Sequence, residues 1–227
     1  HTTASIDLRE KVAFPPAIIS EALSDLMALP VVAEAVIVST CNRTEIYVDF
    51  TVDHTPNGEL QFRPLFEWLS RYHDLNSSQL TQSCYFFEGT EVVRHLMRVS
   101  CGLDSMILGE PQILGQIKSA FAISKDHDAV GAALGRAFQA AFSIAKEVRT
   151  ETAIGESPVS IAYAAAVLAD RIFSDLPSLT VLLIGAGRTI ELVARHMVER
   201  GIRSMIVANR TLDNALDIAD RFSAVGA

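Results

Sequence analysis

Leu179-Thr180-Val181-Leu182-Leu183-Ile184-Gly185-Ala186-Gly187-Arg188-Thr189-Ile190 is the stretch on which the fold turns. Its first six residues carry no charge and form the continuous apolar run expected of a buried parallel strand. The run passes directly into Gly-Ala-Gly. Gly185 permits a tight turn, and Gly187 lets the backbone come close to a ligand at the start of a helix predicted to about Arg200. A second strand at 204–208 and a second helix at 212–222 follow. In that order, strand, glycine loop, helix, strand, a Gly-x-Gly reads as the start of a Rossmann-type nucleotide domain.

Two positions depart from the dinucleotide fingerprint. Ile190 stands where a third glycine would let helix and strand approach closely. Asn209-Arg210-Thr211 stands where an NAD site carries an acid. A cation there suits the 2′-phosphate of NADP. The candidate cofactor-binding residues are therefore Gly185, Ala186, Gly187, Arg188, Thr189, Ile190, Asn209, Arg210 and Thr211, and the expected cofactor is NADPH. A Rossmann-like domain that takes another nucleotide, or none, is the alternative. Only two strands are predicted before Gly226-Ala227, against about six in a whole dinucleotide domain. The sheet is expected to be incomplete and the chain a fragment.

Upstream, a helix at 159–173 carries Ala162, Ala164, Ala165, Ala166 and Ala169, and a hinge is expected at 155–158. Before the hinge the pattern changes. Helices are predicted at 15–29, 60–72, 90–99, 113–125 and 131–150. Strands are predicted within 31–40 and at 45–52 and 84–87. Residues 1–14 read as extended, 53–58 as a loop and 76–78 as a break. Thr90 is a candidate helix cap. No βαβ repeat appears in this half, which points to α+β. The fold class is thus α/β overall: an N-terminal α+β domain over 1–152, then a truncated Rossmann-type NADP-binding domain over 153–227.

The 227 residues are 49% hydrophobic and carry a net charge of -8, room for two modest domains. The acidic balance argues against a general nucleic-acid binder, although Lys118, Arg136, Lys146 and Arg149 leave a local basic patch open. No run of 18 apolar residues predicts a membrane span. Cys41, Cys84 and Cys101 are widely spaced, which suggests reduced thiols in a cytoplasmic protein. Neither they nor the six histidines have ligand spacing, so no metal is expected.

The candidate chemistry gathers in Ser39-Thr40-Cys41-Asn42-Arg43-Thr44-Glu45, between two predicted strands. Connections carry function more often than the elements they join, and a cysteine beside an arginine is placed to form a thiolate. His95 lies on the helix at 90–99, either as a packed histidine or as a working one. Residues 102–116 hold Gly102, Gly109 and Gly115 among small polar groups, a composition for lining a ligand or turning tightly. Pro111 fits the first turn of the next helix. Gln112 and Gln116 share one face of it, where two amides suit polar substrate groups or simply face solvent.

Together these segments resemble glutamyl-tRNA reductase. The matching pieces are His1-x-Thr3-Ala4, the Ser39 to Glu45 stretch, Gly102-Leu103-Asp104-Ser105 through Gly115-Gln116, Val148-Arg149-Thr150-Glu151-Thr152, Gly185-Ala186-Gly187 and Ala208-Asn209-Arg210-Thr211. The resemblance implies a catalytic domain, an NADPH domain cut short here and a C-terminal dimerisation domain absent here. It implies Cys41 as nucleophile toward glutamyl-tRNA and His95 in proton transfer or orientation. It implies Thr40, Asn42, Arg43, Ser105, Glu110, Pro111, Gln112 and Gln116 as substrate contacts, with Arg43 able to hold a carboxylate in a forked pair. A Cys41 thioester would be reduced by NADPH to glutamate-1-semialdehyde, the first step of the five-carbon route to tetrapyrroles. A homodimer and handover to glutamate-1-semialdehyde aminomutase would follow. Two other readings stay open: a shikimate-like NADP dehydrogenase, which gives Cys41 no role, and a non-catalytic module that binds tRNA or a partner.

Overall fold

The computed structural model describes residues 4–51, 58–155 and 161–226. The chain divides into two compact units, 1–156 and 157–227.

The first unit is built around an antiparallel ribbon of β1 (Val32–Ser39) and β2 (Thr44–Phe50). Successive strand residues point to opposite faces, and both faces of β1 are covered. Val36 and Val38 enter one core with Tyr47, Leu96, Ile117 and Phe138. Ala35 and Ile37 enter another with Phe14, Leu23, Leu26 and Trp68. This explains why β1 reads as an unbroken apolar run. The first core is lined by α5 (Thr90–Ser100), α6 (Gln112–Asp126) and α7 (Ala132–Glu151), the second by α2 (Ile19–Met27) and α3 (Gly58–Tyr72).

Several local expectations are corrected. Residues 1–14 are not extended throughout, because α1 (Ile6–Lys11) forms there, with the Ser5 hydroxyl accepting from Leu8 N at 3.3 Å. A short α4 (Ser77–Ser83) occupies the expected break. Residues 84–87 form no strand: they run irregularly between α4 and α5, with Tyr85, Phe86 and Phe87 each about 40% exposed. Aromatic enrichment mimics a strand here, but among the described residues no strand pairs with this segment to complete a ladder. Gly89, not Thr90, stands at the cap of α5, and no side chain bonds there. His1 and Thr3, most of the 53–58 loop and most of the 155–158 hinge lie outside the described residues.

The second unit is a three-stranded parallel sheet, β3 (Thr180–Ile184), β4 (Ser204–Ala208) and β5 (Val225–Gly226), in that spatial order. The third strand goes beyond the two expected. Helices α8 (Ile161–Ile172), α9 (Arg188–Glu199) and α10 (Leu212–Phe222) share one core with Leu183, Met205 and Val207. The architecture is α/β, with a Rossmann-type start in this unit.

Candidate functional site

Cys41 is exposed on the four-residue connection between β1 and β2. Thr40 organises this connection. Its N–H donates to Arg43 O at 2.8 Å, and its Oγ1 accepts from Asn42 N at 3.2 Å and Arg43 N at 3.1 Å. A hydroxyl that bonds the backbone two and three residues on makes a local turn. From outside the loop, Arg9 of α1 donates Nη1 to Asn42 Oδ1 at 2.9 Å. The helix missed in the sequence therefore braces the cysteine loop.

Beneath the loop lies a buried polar network centred on Glu45, which is 6% exposed. Its Oε1 accepts from Arg43 Nη1 at 2.8 Å, from His95 Nε2 at 2.9 Å and from the Tyr85 hydroxyl. Its Oε2 accepts from the Tyr47 hydroxyl at 2.5 Å. Burial works against the charge, but His95 and Arg43 overcome it and hold the carboxyl at about 2. Burial and the same carboxylate push the Tyr47 and Tyr85 hydroxyls well up, so both remain donors. Arg43 is 8% exposed. Burial opposes its charge as well, yet Glu45 raises it.

The second Arg43 branch donates to the carbonyl of Asp104, and Nη1 lies 3.9 Å from the Asp104 carboxylate. Asp104 sits in a loop closed by Gly109 N to Gly102 O at 2.9 Å. Gly102 has φ +75, and a Cβ there would lie 3.0 Å from Gly109 Cα, so this closure requires glycine. Two Arg43 donors are thus committed inside the protein, one to the Glu45 carboxylate by a single bond and one to the Asp104 carbonyl, with no forked pair between Arg43 and Glu45.

His95 sits against this network. Phe87 stacks on its ring at 4.6 Å and Tyr85 meets it edge-on at 5.4 Å. Ser105, next to Asp104, has a hydroxyl shielded from solvent and without a hydrogen bond among the described residues. Hydrogen bonds therefore join Thr40, Asn42, Arg43, His95 and Asp104, with Cys41 on the same loop and Ser105 next to Asp104 in the chain. Glu110 to Gln116 lead into α6, with Pro111 at the cap and the Glu110 carbonyl held by Arg149 Nη2 at 2.9 Å. Gln112 is half-buried and Gln116 exposed. Cys84 is half-buried and Cys101 buried, and burial pushes both of these thiols up.

Sequence reasoning gave no role to Glu45 or Asp104, although both lie in the motifs it singled out, and it missed Tyr47 and Tyr85. Glu45 and Tyr47 did leave a trace, a carboxylate and a phenol two apart on one strand, which places both on the same face.

In the second unit, Gly185 has φ +110 and donates its N–H to Ala208 O at 2.7 Å, tying the glycine loop to the end of β4. Gly187 caps α9, and among the described residues no side chain bonds there and nothing lies within 4 Å of where its Cβ would be. Ile190 packs into the core, and its Cγ1 would stand 3.6 Å from a Cβ on Gly185. Arg210 is exposed just past β4, and Asn209 Nδ2 donates to Thr211 O at 2.9 Å. An open helix N-terminus and an exposed cation at the strand ends fit a dinucleotide phosphate.

Fold and site define the class: a two-unit α/β chain, with an exposed thiol and a buried polar network in one unit and a Rossmann-type start in the other. Residues 1–152 match the family model for glutamyl-tRNAGlu reductase, N-terminal domain, and 167–227 that for shikimate / quinate 5-dehydrogenase. The chain is 51% identical over 224 residues to the glutamyl-tRNA reductase of Photobacterium profundum, and 52% to that of a strain of Pseudomonas putida. These alignments cover 99% of this chain and 52% and 51% of those proteins. The solved glutamyl-tRNA reductase from Methanopyrus kandleri superposes with a TM-score of 0.64 at 34% identity, over 99% of this chain and 52% of that one. The chain belongs to the glutamyl-tRNA reductase family. It spans about half the length of the curated relatives it matches.

Proposed function

We propose that this chain carries the acyl-transfer site of an NADPH-dependent glutamyl-tRNA reductase. The observation that carries the reading is the exposed Cys41 on a loop braced by Thr40 and Arg9, the same loop that supplies Arg43 to the Arg43–Glu45–His95 network. The Cys41 sulfur, as thiolate, attacks the ester carbonyl that joins glutamate to the 3′ end of tRNA. The carbon–oxygen bond breaks, the 3′ oxygen takes up a proton, and the glutamyl group stays on sulfur as a thioester. His95 serves the proton transfers or orients the acyl group. Thr40, Asn42, Arg43, Ser105, Glu110, Pro111, Gln112 and Gln116 are the substrate contacts. The unpartnered Ser105 hydroxyl supports that assignment, since a buried hydroxyl without a bond gains by meeting a polar ligand.

Residues 185–190 and 209–211 would hold NADPH, which supplies the hydride that takes the thioester to glutamate-1-semialdehyde and returns the thiol. In this reading the catalytic domain is 1–152 and the nucleotide domain starts at 153. The complete protein is a cytoplasmic homodimer at the first step of tetrapyrrole synthesis, and it passes its product to glutamate-1-semialdehyde aminomutase. No helix among the described residues is long and apolar enough to cross a membrane. The shikimate-dehydrogenase likeness is confined to the second unit and concerns its nucleotide fold, leaving the thiol loop to the other family.

The test needs only the first half-reaction. Glutamyl-tRNA carrying labelled glutamate, incubated without NADPH, is expected to leave label on Cys41, and Cys41→Ser to take none. A folded chain that gains no label would replace this reading with the binding module, and a Cys41→Ser variant that labels equally would remove Cys41 as the nucleophile.

A further inference from the structure

Glu45 is buried, and its two oxygens already accept from four protein donors. Two tyrosine hydroxyls, one guanidinium and one imidazole converge on its two oxygens. An ionised carboxylate only accepts hydrogen bonds, so each partner must donate, and His95 Nε2 must carry hydrogen. The lone pair of the neutral ring then falls on Nδ1. On that side the Asp104 carboxylate stands 4.0 Å away, beyond hydrogen-bond reach.

We propose that Glu45 is the positioning residue of this site: it fixes His95 as the Nε2–H tautomer, leaves Nδ1 as the nitrogen that exchanges a proton with the reacting groups, and sets the Arg43 guanidinium in register with it. Each part of the arrangement restricts the ring. Phe87 stacks on it, Tyr85 contacts its edge and bonds the same carboxylate, and Asp104 ties Arg43 into the frame through its carbonyl. The groups facing His95 are thus Glu45 and Arg43 from the β1–β2 side, Tyr85 from the segment before α5 and Asp104 from the turn after it. A buried carboxylate that selects a histidine tautomer is a recurring way to keep one nitrogen basic.

The role of Nδ1 rests on the acyl-transfer reading above, whereas the tautomer does not, and the two are measured separately. In this chain labelled with 15N-histidine, long-range 1H–15N correlation at about pH 8.5, above the usual histidine range, is expected to show His95 as the Nε2–H form. A mixture like that of free histidine, or the Nδ1–H form, overturns the proposal without any substrate being needed. In Glu45→Gln the preference is expected to weaken, because an amide can donate as well as accept. In Tyr85→Phe it is expected to persist.

With glutamyl-tRNA, Glu45→Gln is expected to slow Cys41 acylation at saturation about 100-fold, the low end of what general acid–base help supplies, and to shift its pH profile. Binding of the charged tRNA should change little. Acylation at the parent rate and with the parent pH profile overturns the positioning role. If Glu45→Gln fails to fold, the tautomer of the parent chain still decides. If the parent chain shows the Nε2–H form but no acylation, the acyl-transfer reading fails and the assignment of Glu45 to the His95 tautomer stands.

Discussion

Glu45 also makes the stability of the first unit depend on pH in a definite direction. Its carboxyl is held at about 2, below the ordinary 4.5, because His95 and Arg43 outweigh its burial. A depressed acid contributes stability that is fully present above its unfolded value and lost as pH falls through the folded one. The contribution, on the order of 3 kcal/mol if the whole shift is realised, is therefore expected to fade between about pH 4.5 and pH 2. Denaturant titrations at several pH values should show parent and Glu45→Gln converging as pH drops through that window. A gap that stays constant would mean that the carboxylate charge does not stabilise the fold. The sequence shows why this residue was easy to miss. The alternation of Ile46, Val48 and Phe50 puts Glu45 and Tyr47 on the opposite face, which a lone hairpin would leave in water. In the folded unit that face meets Leu96, Val99 and Phe138, so an apparently solvated carboxylate becomes a buried one.

At the scale of elements, the site depends on a turn whose closure is backbone against backbone. Gly102 and Gly109 both have positive φ, and the Gly102 carbonyl accepts from Gly109 N. Gly102→Ala would force a Cβ to 3.0 Å from Gly109 Cα and 3.1 Å from Glu110 N, where no flexible side chain can move aside. With the cost of a non-glycine residue at this φ added, the loss is expected to be about 2 kcal/mol or more. Because the turn supplies the Asp104 carbonyl that holds Arg43, Cys41 acylation should fall with it, in excess of the loss of folded protein. Unfolding curves and acylation rates on the same preparation would check both. Long elements such as α3, α6 and α7 were legible, since each carries an apolar stripe of helical period. Two kinds of feature were not. One was local order without a stripe, as in α1 and α4. The other was a contact made across sequence: Glu34 on β1 accepts from Ala133 N at 2.9 Å and Leu134 N at 2.7 Å, and so caps α7 from about a hundred residues away. Capping rules look only at the residues beside the helix, and the thiol loop was readable because its chemistry is contiguous.

For the molecule as a whole, the second unit poses a solvation problem. Parallel sheets are found with both faces covered, and here α8, α9 and α10 all share a core with the same face, that of Leu183, Met205 and Val207. The alternate residues face the other way: Leu182 is 58% exposed, Ile184 75% and Val225 65%. Contiguous apolar surface of this kind binds hydrophobic dyes and promotes association. A chain of these 227 residues is therefore expected to bind an environment-sensitive dye strongly while native, and to self-associate as concentration rises. Leu182→Thr with Ile184→Thr should reduce both effects. Threonine has the β-branched shape that suits a strand, and neither side chain contributes to the core, so far-UV circular dichroism should be unchanged. Substituting Leu183 would not separate these effects, because it is 5% exposed and its loss would open the core itself. If dye binding persists in the double threonine variant, the exposed surface lies elsewhere, on the outward residues Leu168, Ile172 and Phe173 in and just after α8. If it falls, the uncovered sheet face is where further chain or another molecule would gain most by packing.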